Sequence, residues 1–497
     1  MSNLQSRRDF LKRASFGAAS LALARALPYS TKAGESEERA DNGGVYREKY
    51  RPQFHFTPRK NWTNDPNGLV YYKGEYHMFF QHNPKGINWG NMTWGHAVST
   101  DLIHWKQLPN AIEPDELGTI FSGSAVVDWN DTSGFKTGAE DVLVAFYTSA
   151  GAHAPVKVPF TQSIAYSNDR GRTWTKYKDN PVIGHIRANN RDPKVIWHEP
   201  TKSWIMALYL DKNDFALFSS ENLKQWVQLQ ELKLPGSREC PDFFELPVDG
   251  EPNDTCWVFW GGNGRYLLGT FDGRKFRPQS GPHESCIGNY YAAQTWSDIP
   301  KTDGRRIQIA WMAGGKFPGM PFNQQMSIPC ELTLRRFPEG IRLCRAPVRE
   351  IGKLRSLKYS LKDTPLSAAQ NPPSYISAEL FEIQAEIELG SASEIGFNLR
   401  GSELVYNVDE KLLSCKGQKT RLTPANGRIK LQILVDRTSI EVFSPDSRVS
   451  MHSCFPLDPD NKSVDLFARG GQAEVHRLKL WTLKSIWSSS GSKLESL

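Results

Sequence analysis

Ser167-Asn168-Asp169-Arg170-Gly171-Arg172-Thr173-Trp174 has the composition of a strand end, a polar turn and a second strand that starts at an aromatic residue. Related stretches lie at 99–105 and 219–226, with a shorter copy at 271–276. Their closing aromatic residues, at positions 105, 174, 226 and 276, are 69, 52 and 50 residues apart. Such periods in a β-rich chain are typical of a β-propeller with four-stranded blades. A β-sandwich whose hairpins share turn chemistry is the alternative, and the regular spacing favours the propeller.

The rest of residues 50–345 has the same all-β character. Short β-prone runs alternate with Gly, Pro, Asn and Asp, and helical periodicity is weak. About 300 residues divided by the repeat spacing predict five or six blades. Because a propeller gathers residues from several inner strands at the mouth of its channel, we expect a site whose groups come from different blades.

The sequence changes in character after residue 345. Residues 346–373 are rich in Lys, Ser and Pro and are predicted to be a linker. Alternating strand patterns then recur at 395–399, 429–435 and 440–443, with turn signals between them. Residues 374–490 are therefore predicted to form a C-terminal β-sandwich.

The first 26 residues have the features of an export signal. Arg7-Arg8 precedes an apolar stretch at 14–23, and Ala24-Arg25-Ala26 has the small residues that a signal peptidase prefers. This order predicts a twin-arginine signal peptide over 1–26 and a mature protein that is periplasmic or extracellular. The polar residues 27–49 are predicted to be a linker, and we expect no integral membrane segment.

Composition narrows the class of partner. The 497 residues carry a formal net charge of +7, from 61 Lys+Arg and 54 Asp+Glu, without a basic run that would indicate nucleic acid. Seven widely spaced cysteines are predicted to be mostly buried free thiols. Fifteen Trp and sixteen Tyr offer flat faces that suit sugar rings, although most must serve the core.

Hydrolysis of a glycosidic bond requires two carboxyl groups, one on either side of the bond. Asp65, in Asn64-Asp65-Pro66-Asn67-Gly68, is expected in an extended conformation at a strand end beside a tight turn. Asp192 follows Arg191, whose charge favours an ionised carboxylate. Glu239 precedes Phe243-Phe244, and apolar surroundings would make it an acid at neutral pH.

Each carboxylate also has an ordinary interpretation when it is taken alone. Asp65 could belong to a plain hairpin turn, Asp192 to a surface ion pair, and Glu239 to a solvated loop. Together, however, their motifs resemble glycoside hydrolase family 32, the invertase, levanase and exo-inulinase family. The resemblance is carried by the stretches 64–68, 191–193 and 239–240, and further by 76–81, 94–96, 121–124, 291–294 and 434–443.

This resemblance implies a five-bladed β-propeller over 50–345 followed by the β-sandwich. It implies that Asp65 is the nucleophile, that Glu239 is the acid/base and that Asp192 stabilises the transition state. The residues that it implies for fructose binding are Asn64, Gln81, Trp89, Phe121, Ser122 and Arg191. No metal or organic cofactor is expected.

The implied substrate is a fructan, levan or inulin, or sucrose. Residues 317–325 lack a Trp that several members carry, and Asn289 stands where many members have Asp. We expect both regions to line the outer subsites. The stretches 118–123 and 297–300 are more similar to levanases and exo-inulinases than to plant invertases, which favours exo-action on chain ends.

Three alternatives remain at the level of sequence. The stretch 167–174 also fits the Asp box of sialidases, although we find no arginine cluster and tyrosine nucleophile for that reaction. A fructan-binding protein without activity is the second, and the presence of three carboxylates disfavours it. Transfer of fructose to a sugar is the third, since it shares the intermediate of hydrolysis. The sequence leaves the oligomeric state open.

Overall fold

The structure, a computed structural model, describes residues 45–367, 376–446 and 448–487. The predicted signal peptide, 1–26, and residues 27–44 of the predicted linker lie outside the described residues. Within the described ranges, none of the helices has the length and apolar character needed to cross a membrane.

Residues 61–347 contain 22 strands: β1 Asn61–Tyr72, β2 Glu75–Asn83, β3 Thr93–Ser99, β4 Lys106–Ile112, β5 Thr119–Asp128, β6 Val142–Ala150, β7 Thr161–Ser167, β8 Thr175–Lys176, β9 Arg191–His198, β10 Ser203–Asp211, β11 Asp214–Ser220, β12 Val227–Lys233, β13 Asp242–Val248, β14 Glu251–Trp260, β15 Arg265–Phe271, β16 Phe276–Glu284, β17 Ile287–Gly288, β18 Tyr291–Thr295, β19 Arg306–Trp311, β20 Phe322–Asn323, β21 Cys330–Phe337 and β22 Gly340–Pro347. All of them except β17 belong to four sheets. The first has the order β20-β1-β2-β3-β4, the second β5-β6-β7-β8 and the third β12-β11-β10-β9. The fourth has eight strands, with the order β16-β15-β14-β13-β21-β19-β18 and β22 paired to β21.

Two further sheets pack face to face as a β-sandwich. Their orders are β17-β31-β30-β29-β24-β33-β23 and β28-β27-β26-β25-β32. The bounds are β23 Arg355–Ser367, β24 Phe381–Glu388, β25 Glu394–Leu399, β26 Ser402–Asn407, β27 Leu412–Cys415, β28 Gln418–Arg421, β29 Arg428–Val435, β30 Ser439–Phe443, β31 Ser450–Cys454, β32 Val464–Arg469 and β33 Gln472–Leu483. Short 3₁₀ helices are Gly151–His153, Glu199–Thr201 and Arg349–Leu354.

The inner strands of the first four sheets form a ring. β1 contacts β5, β5 contacts β9, β9 contacts β13, and β18 contacts both β13 and β1. The prediction of an all-β chain with a propeller followed by a sandwich is thus confirmed. Because the eight strands β13–β16, β18, β19, β21 and β22 form one hydrogen-bonded sheet, pairing alone does not divide them into blades. The blade number of five stays a prediction.

The sequence repeat occupies one place in four successive groups of strands. Each copy is the turn between a third and a fourth strand, where Asp101, Asp169, Asn222 or Asp272 accepts two backbone N–H groups through one side-chain oxygen. The residue that follows the acceptor has positive φ in every copy. The polar side chain therefore replaces the missing ladder partners of a tight turn, which explains why Asp or Asn recurs there.

Buried polar groups tie the inner strands together. Lys194 Nζ of β9 donates to the Thr295 carbonyl of β18 at 2.6 Å and lies 3.5 Å from Asp242 Oδ1 of β13. Asp242 Oδ2 accepts the Thr295 N–H at 2.6 Å. Burial lowers the pKa of Lys194, against the opposing charge of Asp242. These bonds fix the positions of β9, β13 and β18 relative to one another along the strand direction, and these strands carry the candidate site.

The predicted linker 346–373 differs from the structure. Residues Arg349–Leu354 form a 3₁₀ helix, and Arg355–Ser367 form β23, an edge strand that pairs with β33. Its side chains are mostly exposed. Backbone pairing with β33 places this edge strand, and Tyr359, Leu361 and Leu366 pack into the sandwich core. Its exposed Lys and Ser residues are those that indicated a linker in the sequence.

Propeller and sandwich share a buried chain of polar residues, here called the interface network: His55, Asp436, Glu441, His452 and Ser450. His55 Nδ1 contacts Asp436 Oδ2 at 2.8 Å, and His55 Nε2 contacts Glu441 Oε2 at 2.6 Å. Glu441 Oε1 contacts His452 Nδ1 at 2.6 Å, and His452 Nε2 contacts Ser450 Oγ at 2.5 Å. All five residues are buried.

The residues of this network stabilise one another's charged forms. Burial alone would lower the pKa of His55, but the negative charge of Glu441 and the hydrogen bond to Asp436 raise it to about 9. Burial would raise the pKa of Glu441, yet His55 and His452 lower it to about 2. A protonated His55 therefore lies between two carboxylates.

The two ends of the described chain meet at the same place. Asp436 accepts the N–H groups of Gln53 and Phe54, and the Ile486 N–H donates to the Gln53 carbonyl at 2.8 Å. Trp487 stacks on Tyr46 with ring centroids 4.0 Å apart. The first propeller residues are thus held by residues of the sandwich.

Candidate active site

The three predicted carboxylates lie on inner strands or directly before them. Asp65 belongs to β1, Asp192 to β9, and Glu239 precedes β13. All three are buried. Ser122 of β5 and Tyr291 of β18 contact the first and the last of these carboxylates. A site with groups from different inner strands was expected from the sequence, and this is what the structure has.

Asp65 lies inside a strand and not at a strand end. β1 runs from Asn61 to Tyr72, and its pairing with β2 shifts between Thr63 and Pro66. The expected strand end and tight turn are therefore wrong, because an irregularity in the ladder lets Asn64 and Asp65 leave the regular pleat without ending the strand. Such bulges turn side chains toward a new direction.

Gly68 shows why this strand carries a glycine. Its φ is +53°, and a Cβ there would lie 2.5 Å from Phe79 Cδ2 and 2.9 Å from Trp94 Cζ3. The glycine thus allows a close approach of β1 to aromatic side chains of β2 and β3, and it does not form a hairpin turn.

Hydrogen bonds orient the Asp65 carboxylate. Ser122 Oγ donates to Oδ2 at 2.5 Å, and Asn64 Nδ2 donates to Oδ1 at 2.9 Å. Trp62 Nε1 donates in turn to Asn64 Oδ1 at 2.7 Å, which fixes the Asn64 amide. Two of the residues expected to bind sugar, Asn64 and Ser122, therefore also hold this carboxylate.

Asp192 is buried, which excludes a surface ion pair. Its Oδ2 accepts the Cys240 N–H at 3.1 Å and lies 3.7 Å from Arg191 Nε. The Arg191 guanidinium lies over the Tyr209 ring at 4.7 Å. Burial raises the pKa of Tyr209, and the Arg191 charge opposes this. Arg191 is thus held between an aromatic face and acidic groups.

Two polar side chains donate hydrogen bonds to the Glu239 carboxylate. Arg191 Nη2 donates to Oε1 at 2.5 Å, and the Tyr291 hydroxyl donates to Oε2 at 2.8 Å. Phe243 and Phe244 pack instead into two hydrophobic clusters of the blades. Strand alternation sends those rings to opposite faces of β13, which the sequence argument overlooked.

Cys240 and Tyr291 contact the predicted carboxylates, although neither is among the site residues predicted from the sequence. Cys240 Sγ lies 3.6 Å from Asp65 Oδ2 and 3.4 Å from Asp192 Oδ2, so its thiol contacts two carboxylates. Its place directly after Glu239 was the available signal. Tyr291 begins the stretch 291–294 that carries part of the resemblance, but its contact with Glu239, 52 residues away in sequence, had no local signal. All seven cysteines lie in the described ranges and are thiols outside disulfide bonds, as predicted, and six of them are buried.

An aromatic cluster adjoins these carboxylates. It contains the predicted residues Trp89 and Phe121 together with Trp62, Trp311 and Tyr291. Within the described part of the chain, the indole N–H of Trp89 has no hydrogen-bond partner. The cluster thus offers flat apolar faces with a donor among them.

Gln81 is a buried amide without hydrogen-bond partners in the part of the chain that the structure describes. It lies on β2 opposite the shifted segment of β1, between the pairs Thr63–His82 and Pro66–Phe80. Both of its polar side-chain atoms lack a hydrogen-bond partner among the described residues. Buried amides are nearly always satisfied in folded proteins, so Gln81 has the character of a group that binds a polar ligand.

The regions expected at the outer subsites have structural bonds. The Asn289 amide donates to the Ala313 carbonyl at 2.6 Å and accepts the Cys454 N–H at 2.8 Å, which ties the propeller to the sandwich. Gln324 accepts from Trp311 Nε1 at 3.0 Å. Neither side chain therefore indicates a preferred leaving group.

Potential metal ligands cluster elsewhere. Among the described residues, Asp363, Glu474 and His476 bring their ligand atoms within 4.8 Å of one another. They lie on β23 and β33 of the sandwich, at partly or fully exposed positions. The Asp363–His476 contact at 3.2 Å is explained by cross-strand pairing.

Two family models cover most of the chain. The N-terminal domain of glycosyl hydrolases family 32 matches residues 55–347, and the C-terminal domain of the same family matches 350–482. The chain belongs to glycosyl hydrolases family 32. It is therefore a glycoside hydrolase.

Relatives of this family 32 chain include a levanase of Bacillus subtilis (strain 168), which is 42% identical over 499 residues, 91% of this chain and 73% of the relative. An extracellular exo-inulinase of Aspergillus awamori is 32% identical over 89% of this chain and 96% of its own length. The crystal structure of an exo-inulinase from that fungus superposes with a TM-score of 0.81 at 30% identity, over 89% of this chain and all of the other. A fructofuranosidase of Schwanniomyces occidentalis, complexed with fructose, gives a TM-score of 0.79 at 28% identity, over 89% of this chain and 100% of the other.

Proposed function

We propose that this chain is a retaining β-fructofuranosidase, which releases terminal fructosyl residues from levan or inulin and from sucrose. The observation that supports this most is the convergence of Asp65, Asp192 and Glu239 on the Cys240 segment. The relatives named levanase and exo-inulinase support the substrate class. The sialidase and binding-only alternatives are not favoured, because the matching family models are those of glycosyl hydrolases family 32.

Asp65 is the proposed nucleophile. Its oxygen attacks the anomeric carbon of the terminal fructosyl unit while the bond from that carbon to the leaving oxygen breaks, which gives a covalent fructosyl-enzyme. The bonds from Ser122 and Asn64 hold the carboxylate in one orientation before the attack. A double displacement requires carboxyl groups about 5–5.5 Å apart, and we propose this spacing for Asp65 and Glu239.

Glu239 is the proposed acid and base. Arg191 donates to Oε1, so the proton for the leaving oxygen belongs on Oε2. A tyrosine hydroxyl can accept as well as donate. Tyr291 can therefore accept from the protonated Oε2 before the transfer and donate to it afterwards. In the second step Glu239 takes a proton from water, the water oxygen bonds to the anomeric carbon, and Asp65 is released.

The remaining residues are proposed to bind the sugar. Asp192 holds fructose hydroxyls and stabilises the positive charge that develops on the ring. Gln81 and Trp89 supply polar groups that have no protein partner among the described residues, and Phe121 supplies an aromatic face. Sugar hydroxyls are the chemical match for an amide and an indole N–H that lie in an aromatic setting.

A product assay on sucrose, inulin and levan tests the proposal. We expect free fructose as the only early product from the fructans, whereas endo-action would release oligosaccharides. Glu239→Gln should lower turnover by several orders of magnitude without a change in thermal stability. Near-normal hydrolysis by this folded variant would contradict the assignment. New fructosyl oligosaccharides at high sucrose would identify transfer to sugar as the second reaction.

We further propose export through the twin-arginine signal at 1–26, followed by a catalytic domain at 50–345 and a sandwich domain that begins with β23, Arg355–Ser367, instead of at residue 374. A relative named extracellular exo-inulinase supports a location outside the cytoplasm. Replacing both Arg7 and Arg8 by Lys should leave the enzyme in the producing cells. Mass spectrometry of the exported protein should give a mature N-terminus near residue 27.

A further inference from the structure

The segment that carries Arg191 and Asp192 has an unusual backbone. Asp192 has a φ of 65°, in the left-handed region that residues other than glycine avoid because Cβ approaches the following carbonyl oxygen. The pairing of β9 with β10 is irregular here, since it passes from Arg191–Tyr209 to Lys194–Ala207. Contacts outside this ladder must therefore stabilise the Asp192 peptide.

Thr148 and Gln162 supply these contacts. The Asp192 N–H donates to Thr148 Oγ1 at 2.9 Å, and the Thr148 hydroxyl donates to Gln162 Oε1 at 2.7 Å. Gln162 Nε2 then donates to the Asn190 carbonyl at 3.1 Å. Thr148, Gln162, Asn190 and Asp192 are fully buried, so water does not readily replace these bonds. The two side chains thus hold the backbone on both sides of Arg191.

The pair comes from a neighbouring sheet. Thr148 lies on β6 and Gln162 on β7, where they are cross-strand partners. The backbone that they hold begins β9, the inner strand of the next sheet. From this strand Arg191 reaches the Glu239 carboxylate, and Asp192 reaches the Cys240 N–H. A substitution of Thr148 can therefore displace Arg191 and Asp192 without changing the charge of either residue.

We propose that Thr148 and Gln162 are positioning residues, which set the place of Asp192 and, through Arg191, that of the Glu239 carboxylate. This inference rests on the proposed function, because the positioned groups have their roles there. A displacement of about 1 Å at reacting groups can lower a rate about 100-fold. Loss of the pair should therefore lower kcat more than it raises KM. Because Arg191 contacts Glu239, it should also change the pH profile of kcat/KM.

The test compares Thr148→Val with Thr148→Ser in the purified full chain. Val keeps the shape of Thr but removes the hydroxyl, whereas Ser keeps the hydroxyl. We expect Thr148→Val to lower kcat on sucrose about 30- to 100-fold, with KM within about threefold and a displaced pH profile. Thr148→Ser should stay within about threefold of the wild type in kcat and keep its pH profile.

Ser149→Ala is the matched control. Ser149 Oγ and Ser163 Oγ form a buried hydrogen bond of 2.8 Å between the same two strands. By strand alternation these side chains point to the other face from Thr148 and Gln162. The control variant should therefore keep the kcat and the pH profile of the wild type.

Wild-type kcat and pH profile in folded Thr148→Val would overturn the proposal, as would equal losses in Thr148→Val and Ser149→Ala. Asp65→Asn in the same assay separates two failures. Activity in Asp65→Asn contradicts the proposed function, whereas an inactive Asp65→Asn beside a normal Thr148→Val rejects only the positioning role. If Thr148→Val does not fold, Gln162→Met replaces it under the same criteria. Failure of both to fold assigns the pair a structural role and rejects the proposal.

Discussion

The candidate site and the interface network both contain buried carboxylates, but they differ in the hydrogen bonding of the polar groups around them. In the interface network, His55, Gln53, Phe54 and His452 contact the carboxylate oxygens of Asp436 and Glu441. Around the candidate site, the Gln81 amide and the Trp89 indole N–H lack partners among the described residues. Buried acids alone thus do not identify a catalytic centre, whereas unsatisfied neutral groups beside them point to a ligand.

The largest difference between the two regions should appear in turnover. Asp65→Asn replaces the proposed nucleophile by a residue of the same shape, so we expect kcat on sucrose to fall about 10⁴-fold or more. The thermal midpoint should stay near that of the wild type, which differential scanning calorimetry measures. A folded Asp65→Asn protein with substantial activity would remove the distinction between the two regions.

The opposite pattern is expected for the interface network. His55→Leu leaves Asp436 and Glu441 as buried anions without the cation between them, which should cost about 3–5 kcal/mol in the free energy of unfolding. Urea unfolding measures this value. His104→Leu is the control, because His104 is exposed and pairs with Asp101 at the surface, where such a contact contributes about 0–1 kcal/mol. Equal losses in the two variants would contradict the interpretation.

Gln81→Leu should separate activity from stability within the candidate site. Replacing an unsatisfied amide by an apolar group of similar size should leave the thermal midpoint unchanged or raise it. The same change should lower kcat/KM about 10- to 100-fold through lost sugar contacts. Gln432→Leu is the control, since Gln432 donates to Glu382 in the sandwich and should affect stability without affecting kcat/KM. Lower stability with normal kinetics in Gln81→Leu would assign Gln81 to the core.

The smallest expected effect is a pH dependence of the interface network. The pKa of His55 is raised from 6.5 to about 9, so its contribution to stability is complete below pH 6.5 and is lost as the pH rises through about 9. The pKa of Glu441 is lowered from 4.5 to about 2, so its contribution is present above pH 4.5 and is lost as the pH falls through about 2.

The free-energy difference between the wild type and His55→Leu should therefore be largest between pH 4.5 and 6.5. Urea unfolding of both proteins at several pH values gives this difference. A difference that rises as the pH increases through 6.5, and does not fall near pH 9, would show that His55 is neutral in the folded protein.

The repeated hairpins and the candidate carboxylates could be predicted because short local sequence patterns mark them. Asp101, Asp169, Asn222 and Asp272 recur because each must cap the same turn, so they reveal repeated hairpins without an alignment. The short motifs around the three carboxylates likewise appear in order along the chain. Local patterns of this kind can be recognised in the sequence without knowledge of the fold.

Other features could not be predicted because they depend on distant partners. The Glu239 carboxylate meets Arg191 and Tyr291, 48 and 52 residues away, and no periodicity marks those contacts. Asp65 leaves the regular ladder through an irregular pairing with β2, which the residue preferences of an Asn-Gly pair did not indicate. The Lys and Ser residues of β23 are typical of a linker, whereas its pairing with β33 depends on a distant part of the chain.

The meeting of Gln53 with Asp436 has a consequence for biosynthesis. The two residues are 383 positions apart, so a ribosome that adds about 5–20 residues per second makes the acceptor roughly 20–80 s after the donor. During that delay the segment before β1, which contains Gln53 and Phe54, lacks the carboxylate that anchors it. Contacts between residues so far apart in sequence slow folding. The N-terminal segment of the propeller is therefore fixed only after the sandwich has left the ribosome.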